Sequence, residues 1–115
     1  MKTMRPILIA LFSLAGFTLA QAHAFLDHAQ PRVGSSGPAP EQVELWMTED
    51  LEPAFTKVQV FDAQNHEVDN KDAKIAGATM TVSLPKLGPG IYKVKWSAVA
   101  VDTHHTTGTF SFTVR

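Results

Sequence analysis

Cysteine is absent from the 115-residue chain. Without a thiol there is no disulfide framework, no thiolate ligand for zinc or Cu(I), and no cysteine nucleophile. Positive charge is also scarce: 10 Lys+Arg stand against 11 Asp+Glu, a net charge of −1 with histidines neutral. Nucleic-acid binding needs a basic patch, and this balance argues against one. Sustained helical periodicity with caps, internal repeats and low-complexity tails are missing as well. The five histidines, His23, His28, His66, His104 and His105, contain no zinc-protease helix motif and no His-x3-His spacing on a helical stretch.

What is present begins with a leader pattern. Lys2 and Arg5 make a positive start, Ile7 to Leu19 is apolar and uncharged, and Ala20-Gln21-Ala22 puts small residues at the positions a signal peptidase reads. This three-part arrangement predicts a secretory signal over residues 1–22, cut after Ala22. A transmembrane anchor is the alternative, but the apolar stretch is shorter than the roughly 20 residues a span requires. Cleavage leaves residues 23–115, a 93-residue domain that starts with His23 and has no further membrane span. It removes two of the 10 basic residues and none of the 11 acidic ones, so the mature charge is −3. A chain of about 90 residues can build one modest core.

The mature segment reads as all-β. Phe25-Leu26 opens an extended stretch that stops at Pro31, and a turn-rich loop follows from Gly34 to Pro40. Val43, Leu45 and Met47 alternate with Glu44 and Trp46, the period-2 mark of a half-buried strand. Val58 and Val60 alternate after Pro53, with Asp62 as a continuation, and a turn surrounds Asn65-His66. Met80, Val82 and Leu84 alternate again before the tight turn Leu87-Gly88-Pro89-Gly90. Ile91, Tyr92, Val94, Trp96, Ala98 and Val99 form the longest strand pattern, and Thr109 to Val114 closes the chain with Phe110 and Phe112 on one face. Short strands separated by turns predict a β-sandwich or Greek-key barrel. Trp46, Trp96, Phe110 and Phe112 read as core residues, although Trp46 has the parity opposite to Leu45 and Met47.

Two features point to a metal. After cleavage, His23 carries a free α-amine and an imidazole that can chelate one ion together; their pKa values, roughly 7.7–8.0 and 6.5, let a metal displace both protons near neutrality. Taken alone, a histidine after a cleavage site is equally a coincidence. Asp102-Thr103-His104 lies between two strand patterns. If extended, it presents an oxygen and a nitrogen to one side; if a turn, Asp102 accepts backbone amides and His104 is exposed. Together His23, Asp102 and His104 offer an amine, two imidazoles and a carboxylate, a nitrogen-rich set suited to tetragonal Cu(II). Zn(II) fits the same ligands less tightly, whereas Ca(II) and Mg(II) want more oxygens.

The order and spacing of several segments resemble the CopC family of periplasmic copper-binding proteins. They are the mature start at His23, Pro31 with its Gly-rich loop, Val43-Glu44-Leu45-Trp46-Met47-Thr48-Glu49-Asp50-Leu51, Gly90-Ile91-Tyr92-Lys93-Val94-Lys95-Trp96, and Asp102-Thr103-His104 leading into Gly108-Thr109-Phe110. The resemblance covers nearly all of the mature chain. It implies a Greek-key β-barrel or sandwich, cupredoxin-like or immunoglobulin-like, of about seven strands. It also implies one Cu(II) per mature chain, held by His23, Asp102 and His104, with Glu49 beside the site to orient a ligand by hydrogen bonding. A solvated loop carboxylate is the plainer reading of Glu49.

Some family members are similar in fold but carry a second, Cu(I) site in a methionine-rich loop. The corresponding stretch here, Phe61 to Thr79, has His66 and no methionine, and Met80 reads as a core strand residue. Thioethers are what select Cu(I), so no such site is expected. His105 is expected to face solvent, and His28 is a weak alternative ligand. The resemblance implies copper storage, buffering or delivery in the periplasm, with an inner-membrane protein of the CopD type as partner; the sequence itself shows no interface for one. Two other functions compete with this non-enzymatic role. One is a copper monooxygenase, whose active sites also use a terminal histidine, although 93 residues offer no clear polysaccharide platform and Asp102 fills a position that oxygen chemistry wants open. The other is a metal-free immunoglobulin-like interaction module.

Overall fold

The computed structural model describes residues 25–115. The expected signal over residues 1–22 and the ligand His23 lie outside the described residues. Eight strands are present: β1 (Leu26–Gln30), β2 (Ser36–Gly37), β3 (Gln42–Met47), β4 (Lys57–Phe61), β5 (Lys74–Ala76), β6 (Thr79–Ser83), β7 (Gly90–Val99) and β8 (His105–Val114). They form two four-stranded sheets in the orders β1-β3-β6-β5 and β2-β8-β7-β4. The chain crosses repeatedly from one sheet to the other, and every pairing is antiparallel except the short parallel contact of β2 with β8.

Period-2 alternation makes this sandwich. Val43 and Leu45 on β3, with Met80 and Val82 on β6, face Val58 and Val60 on β4 and Tyr92, Val94 and Trp96 on β7. Phe110 and Phe112 of β8 complete the buried layer. Removing a fully buried side chain here, as in Leu45→Ala, costs about 2–5 kcal/mol, because the lost transfer energy is joined by a cavity. Met80 is fully buried and Met47 nearly so, which bears out the reading of Met80 as a core residue.

Several sequence expectations are corrected. The expected all-β sandwich is adopted, with two open sheets rather than the barrel alternative, and the strands number eight where about seven were expected. β2 and β5 are two and three residues long, too short to carry an alternation. β4 ends at Phe61, because the Asp62 side chain accepts the N–H groups of Gln64 and His66 and turns the chain. Leu84 is buried but lies just past β6, and β8 begins at His105 rather than Thr109. Trp46 is not in the core. Its parity places it on the outer face, where it stacks on His28 with ring centroids 4.4 Å apart and planes 7° off parallel.

One end of the sandwich gathers the segments of interest. The β7–β8 hairpin closes there through the pair Val99–His105, leaving residues 100–104 as its loop. The connection from β3 to β4 passes beside it, with a single 3-10 turn at Pro53–Phe55. The start of β1 reaches the same end, since Thr48 donates its N–H to the Phe25 carbonyl at 3.0 Å. At the far end, the Tyr92 hydroxyl donates to the Gly88 carbonyl at 2.8 Å and secures the turn before β7.

Candidate metal centre

The hairpin loop is shaped by its own backbone. Thr103 N–H donates to the Ala100 carbonyl and Ala100 N–H to the His104 carbonyl, each at 2.8 Å. Thr103 adopts φ of 76°, a left-handed conformation that a β-branched residue rarely takes. Asp102 stabilises this turn, because its Oδ1 accepts the His104 N–H at 3.1 Å. The extended arrangement considered for Asp102-Thr103-His104 is therefore replaced by an Asp-centred turn. The two side chains still converge: His104 Nδ1 lies 3.4 Å from Asp102 Oδ2, and both residues are exposed.

A second loop is fastened alongside. Leu51 and Ala100 form an antiparallel bridge, with Val101 N–H donating to the Asp50 carbonyl at 3.0 Å and Glu52 N–H to the Val99 carbonyl at 2.8 Å. This pairing carries Glu49 to the hairpin tip. Glu49, Asp102 and His104 each offer one donor atom, and these atoms lie within 4.8 Å of one another. Two donors about 2 Å from a common ion are at most about 4 Å apart, so a small inward rotation of exposed side chains brings the set to ligating distance.

The electrostatics suit a cation. The Asp102 carboxyl is held below its ordinary value of 3.8, first by the His104 N–H and next by the His104 ring, with desolvation opposing. At neutral pH it meets a metal with no proton to displace. Three acids, Glu49, Asp50 and Glu52, surround the same end of the fold.

The remaining histidines are elsewhere in the architecture. His28 lies on the outer face of β1, with Nδ1 2.7 Å from Asp27 Oδ2, and does not join the cluster. His66 sits in the turn after β4, with Nδ1 3.6 Å from Asp62 Oδ2. His105 opens β8, is exposed as expected, and has Nε2 3.5 Å from Ser97 Oγ. Reasoning on the residues alone missed Glu49, which entered only through the resemblance, and missed the backbone contacts of Thr48, Asp50 and Glu52 that set its position. No local pattern announces contacts between segments some fifty residues apart.

Comparisons with known proteins identify the family. The family model described as the CopC domain matches residues 26–115. Copper resistance protein C of Pseudomonas syringae pv. tomato is 35% identical over 106 residues, covering 84% of each chain. Among solved structures, CopC from Methylosinus trichosporium OB3b superposes with a TM-score of 0.69 at 28% identity, covering 80% of this chain and 93% of that one. PcoC, a methionine-rich copper resistance protein from Escherichia coli, superposes with a TM-score of 0.67 at 32% identity, covering 82% of this chain and 100% of that one. In contrast to a methionine-rich protein, the described residues here contain Met47 and Met80 alone, both buried. With its two-sheet sandwich, its acid–histidine cluster at one end and these relatives, the chain belongs to the CopC family.

Proposed function

We propose that this chain is exported, is cleaved after Ala22, and binds one Cu(II) per mature chain in the periplasm, where it buffers or delivers copper. The ligands in this reading are the amine and imidazole of His23, the Asp102 carboxylate and the His104 imidazole. Glu49 stands beside them, oriented to receive a hydrogen bond from the amine or an imidazole. An inner-membrane protein of the CopD type is the proposed recipient or donor. The role is carriage rather than catalysis, and the burial of both methionines among the described residues favours Cu(II) over Cu(I) as cargo.

The observation that carries the reading is the meeting of Glu49, Asp102 and His104 at the end of the sandwich where β1 begins. Phe25 is tied there to Thr48, the neighbour of Glu49, by the Thr48 N–H at 3.0 Å and the Thr48 hydroxyl at 3.3 Å. Two residues of chain span at most about 7 Å, and the tie of Phe25 to Thr48, beside Glu49, supports the reading of His23 as a ligand.

Electron paramagnetic resonance of the Cu(II) form, compared with a His23→Ala variant, tests it. Nitrogen couplings from an amine and two imidazoles, reduced in the variant, are expected. An unchanged spectrum in His23→Ala would remove His23 from the site.

A further inference from the structure

The outer face of the β2-β8-β7-β4 sheet has a composition unlike the rest of the domain. Its outward positions fall in rows set by the strand register: Phe61, Lys93 and Ser111; then Gln59, Lys95 and Thr109; then Lys57, Ser97 and Thr107. No carboxylate occupies any of these positions, although acids outnumber bases in the chain as a whole. At the β4 edge, Asp62 is turned into its own loop by the Gln64 and His66 N–H groups, and Glu67 is engaged by Gln59 at 3.4 Å and Lys71 at 3.9 Å. Among the described residues, Lys57, Lys93 and Lys95 form no ion pair. A depression of about 500 Å3 lies between Lys57 and Lys95, floored by Gly108 and the edge of Trp96. Ile91 stands 58% exposed on the same face, two residues before Lys93, and Phe61 is half-buried beside it.

We propose that this face docks the domain on an anionic lipid bilayer, with Lys57, Lys93 and Lys95 against the headgroups and Ile91 and Phe61 at the acyl boundary. Residues two apart on a strand are about 7 Å apart and neighbouring strands about 4.8 Å, so Lys95 lies within about one Debye length of both Lys93 and Lys57, which form a chain of charge along the face. All three cations are lysines. Arginine is the residue of choice where a carboxylate is recognised in a fixed bidentate geometry, whereas point charges on flexible stems suit the diffuse potential of a lipid surface. Basic residues joined to protruding apolar side chains are the pattern of peripheral membrane attachment. An acidic protein is the competing occupant, but this face offers no arginine fork to orient one. Ile91 lies at the end of β7 opposite the loop at residues 100–104, so the apolar contact and the metal end sit at opposite ends of the strand. The proposal does not depend on copper being bound.

The test is sedimentation of the purified, exported protein with vesicles of phosphatidylglycerol mixed with phosphatidylcholine, and with vesicles of phosphatidylcholine alone. Binding to the anionic vesicles alone is expected at about 50 mM salt, lost at about 500 mM as the charges are screened. Each lysine near the surface is worth about fivefold, so a Lys57→Gln/Lys93→Gln/Lys95→Gln variant should lose binding on the order of a hundredfold. The charge-matched Arg32→Gln/Lys74→Gln/Lys86→Gln variant, altered outside these rows and away from Glu67, should bind as the parent does, and near-UV circular dichroism should match across all three proteins. Absence of binding to anionic vesicles overturns the proposal and leaves an acidic protein as the partner. Equal binding to both vesicle types, or equal losses in both triple variants, overturns it too.

Discussion

The backbone N–H of Val101 donates to the carbonyl of Asp50 across 3.0 Å, and this bond joins the two halves of the candidate metal centre. Asp102 and His104 belong to one hairpin, while Glu49 belongs to a connection on the other side of the bond. Main chain holds Glu49 and His104 in place, while the Asp102 side chain also ties its own turn, so substitutions at Glu49 and His104 should alter metal binding with little change in fold.

That separation of roles predicts a graded series. Glu49→Gln should weaken Cu(II) binding by about 10–100-fold, the usual effect of losing a supporting carboxylate. His104→Ala should weaken it more, and thermal stability of the metal-free protein should be nearly unchanged in both. Competition titration against a chelator of known affinity measures the series. A Glu49→Gln effect larger than that of His104→Ala would make Glu49 a ligand in its own right.

The turn itself carries strain. Thr103 at φ of 76° occupies a region that favours glycine or asparagine, at a cost of order 1–3 kcal/mol for other residues. Thr103→Gly or Thr103→Asn should therefore raise stability in urea unfolding by roughly 1 kcal/mol. Loss of stability in both variants would show that the Thr103 hydroxyl, which donates to the Asp102 carbonyl, outweighs the strain.

Gly108 is a packing requirement. A Cβ at this position would meet Trp96 Cζ2 at 2.5 Å, Cε2 at 2.8 Å and Nε1 at 3.0 Å. The indole is buried and has little room to retreat. Gly108→Ala should cost about 1–3 kcal/mol through overpacking. Tryptophan emission should shift to the red as the ring is displaced toward water. An unchanged spectrum and unfolding midpoint would contradict the contact.

Acid should loosen the β5–β6 region. The Asp72 carboxyl is held below its ordinary 3.8 by the Ser83 hydroxyl and next by the Ser83 N–H. A depressed folded-state value contributes stability that is present above 3.8 and is lost as pH falls through the folded-state value. Parent and Asp72→Ala should thus differ in Tm at pH 6 and converge in strong acid. A difference independent of pH would assign the effect to packing.

Alternation disclosed most of the fold. β3, β6, β7 and the second half of β8 were legible because one face of each is buried and the parity of their apolar residues is unbroken. The parity of Trp46 also carried a true signal, since it marks the residue as outward, against its size. β2 and β5 were not legible: Ser36–Gly37 and Lys74–Ala76 owe their extended form to partner strands, and a single Ile75 makes no pattern. In the site, Asp102 and His104 were legible as neighbours. Their true geometry was hidden, because a β-branched Thr103 argues against the left-handed turn it adopts. Glu49 joins them through hydrogen bonds between segments far apart in sequence, which no window of residues contains.

The pair Val99–His105 fixes more than the loop it closes. An insertion that slid β8 by one position against β7, instead of being absorbed in the unpaired residues 100–104, would break the register of the whole hairpin. Because side chains alternate, Phe110 and Phe112 would then turn to solvent while Thr109 and Ser111 turned inward. The hydrophobic layer thereby fixes the strands on both sides of the candidate metal loop, so a change in its length has to be absorbed within residues 100–104 and falls on the placement of Asp102 and His104.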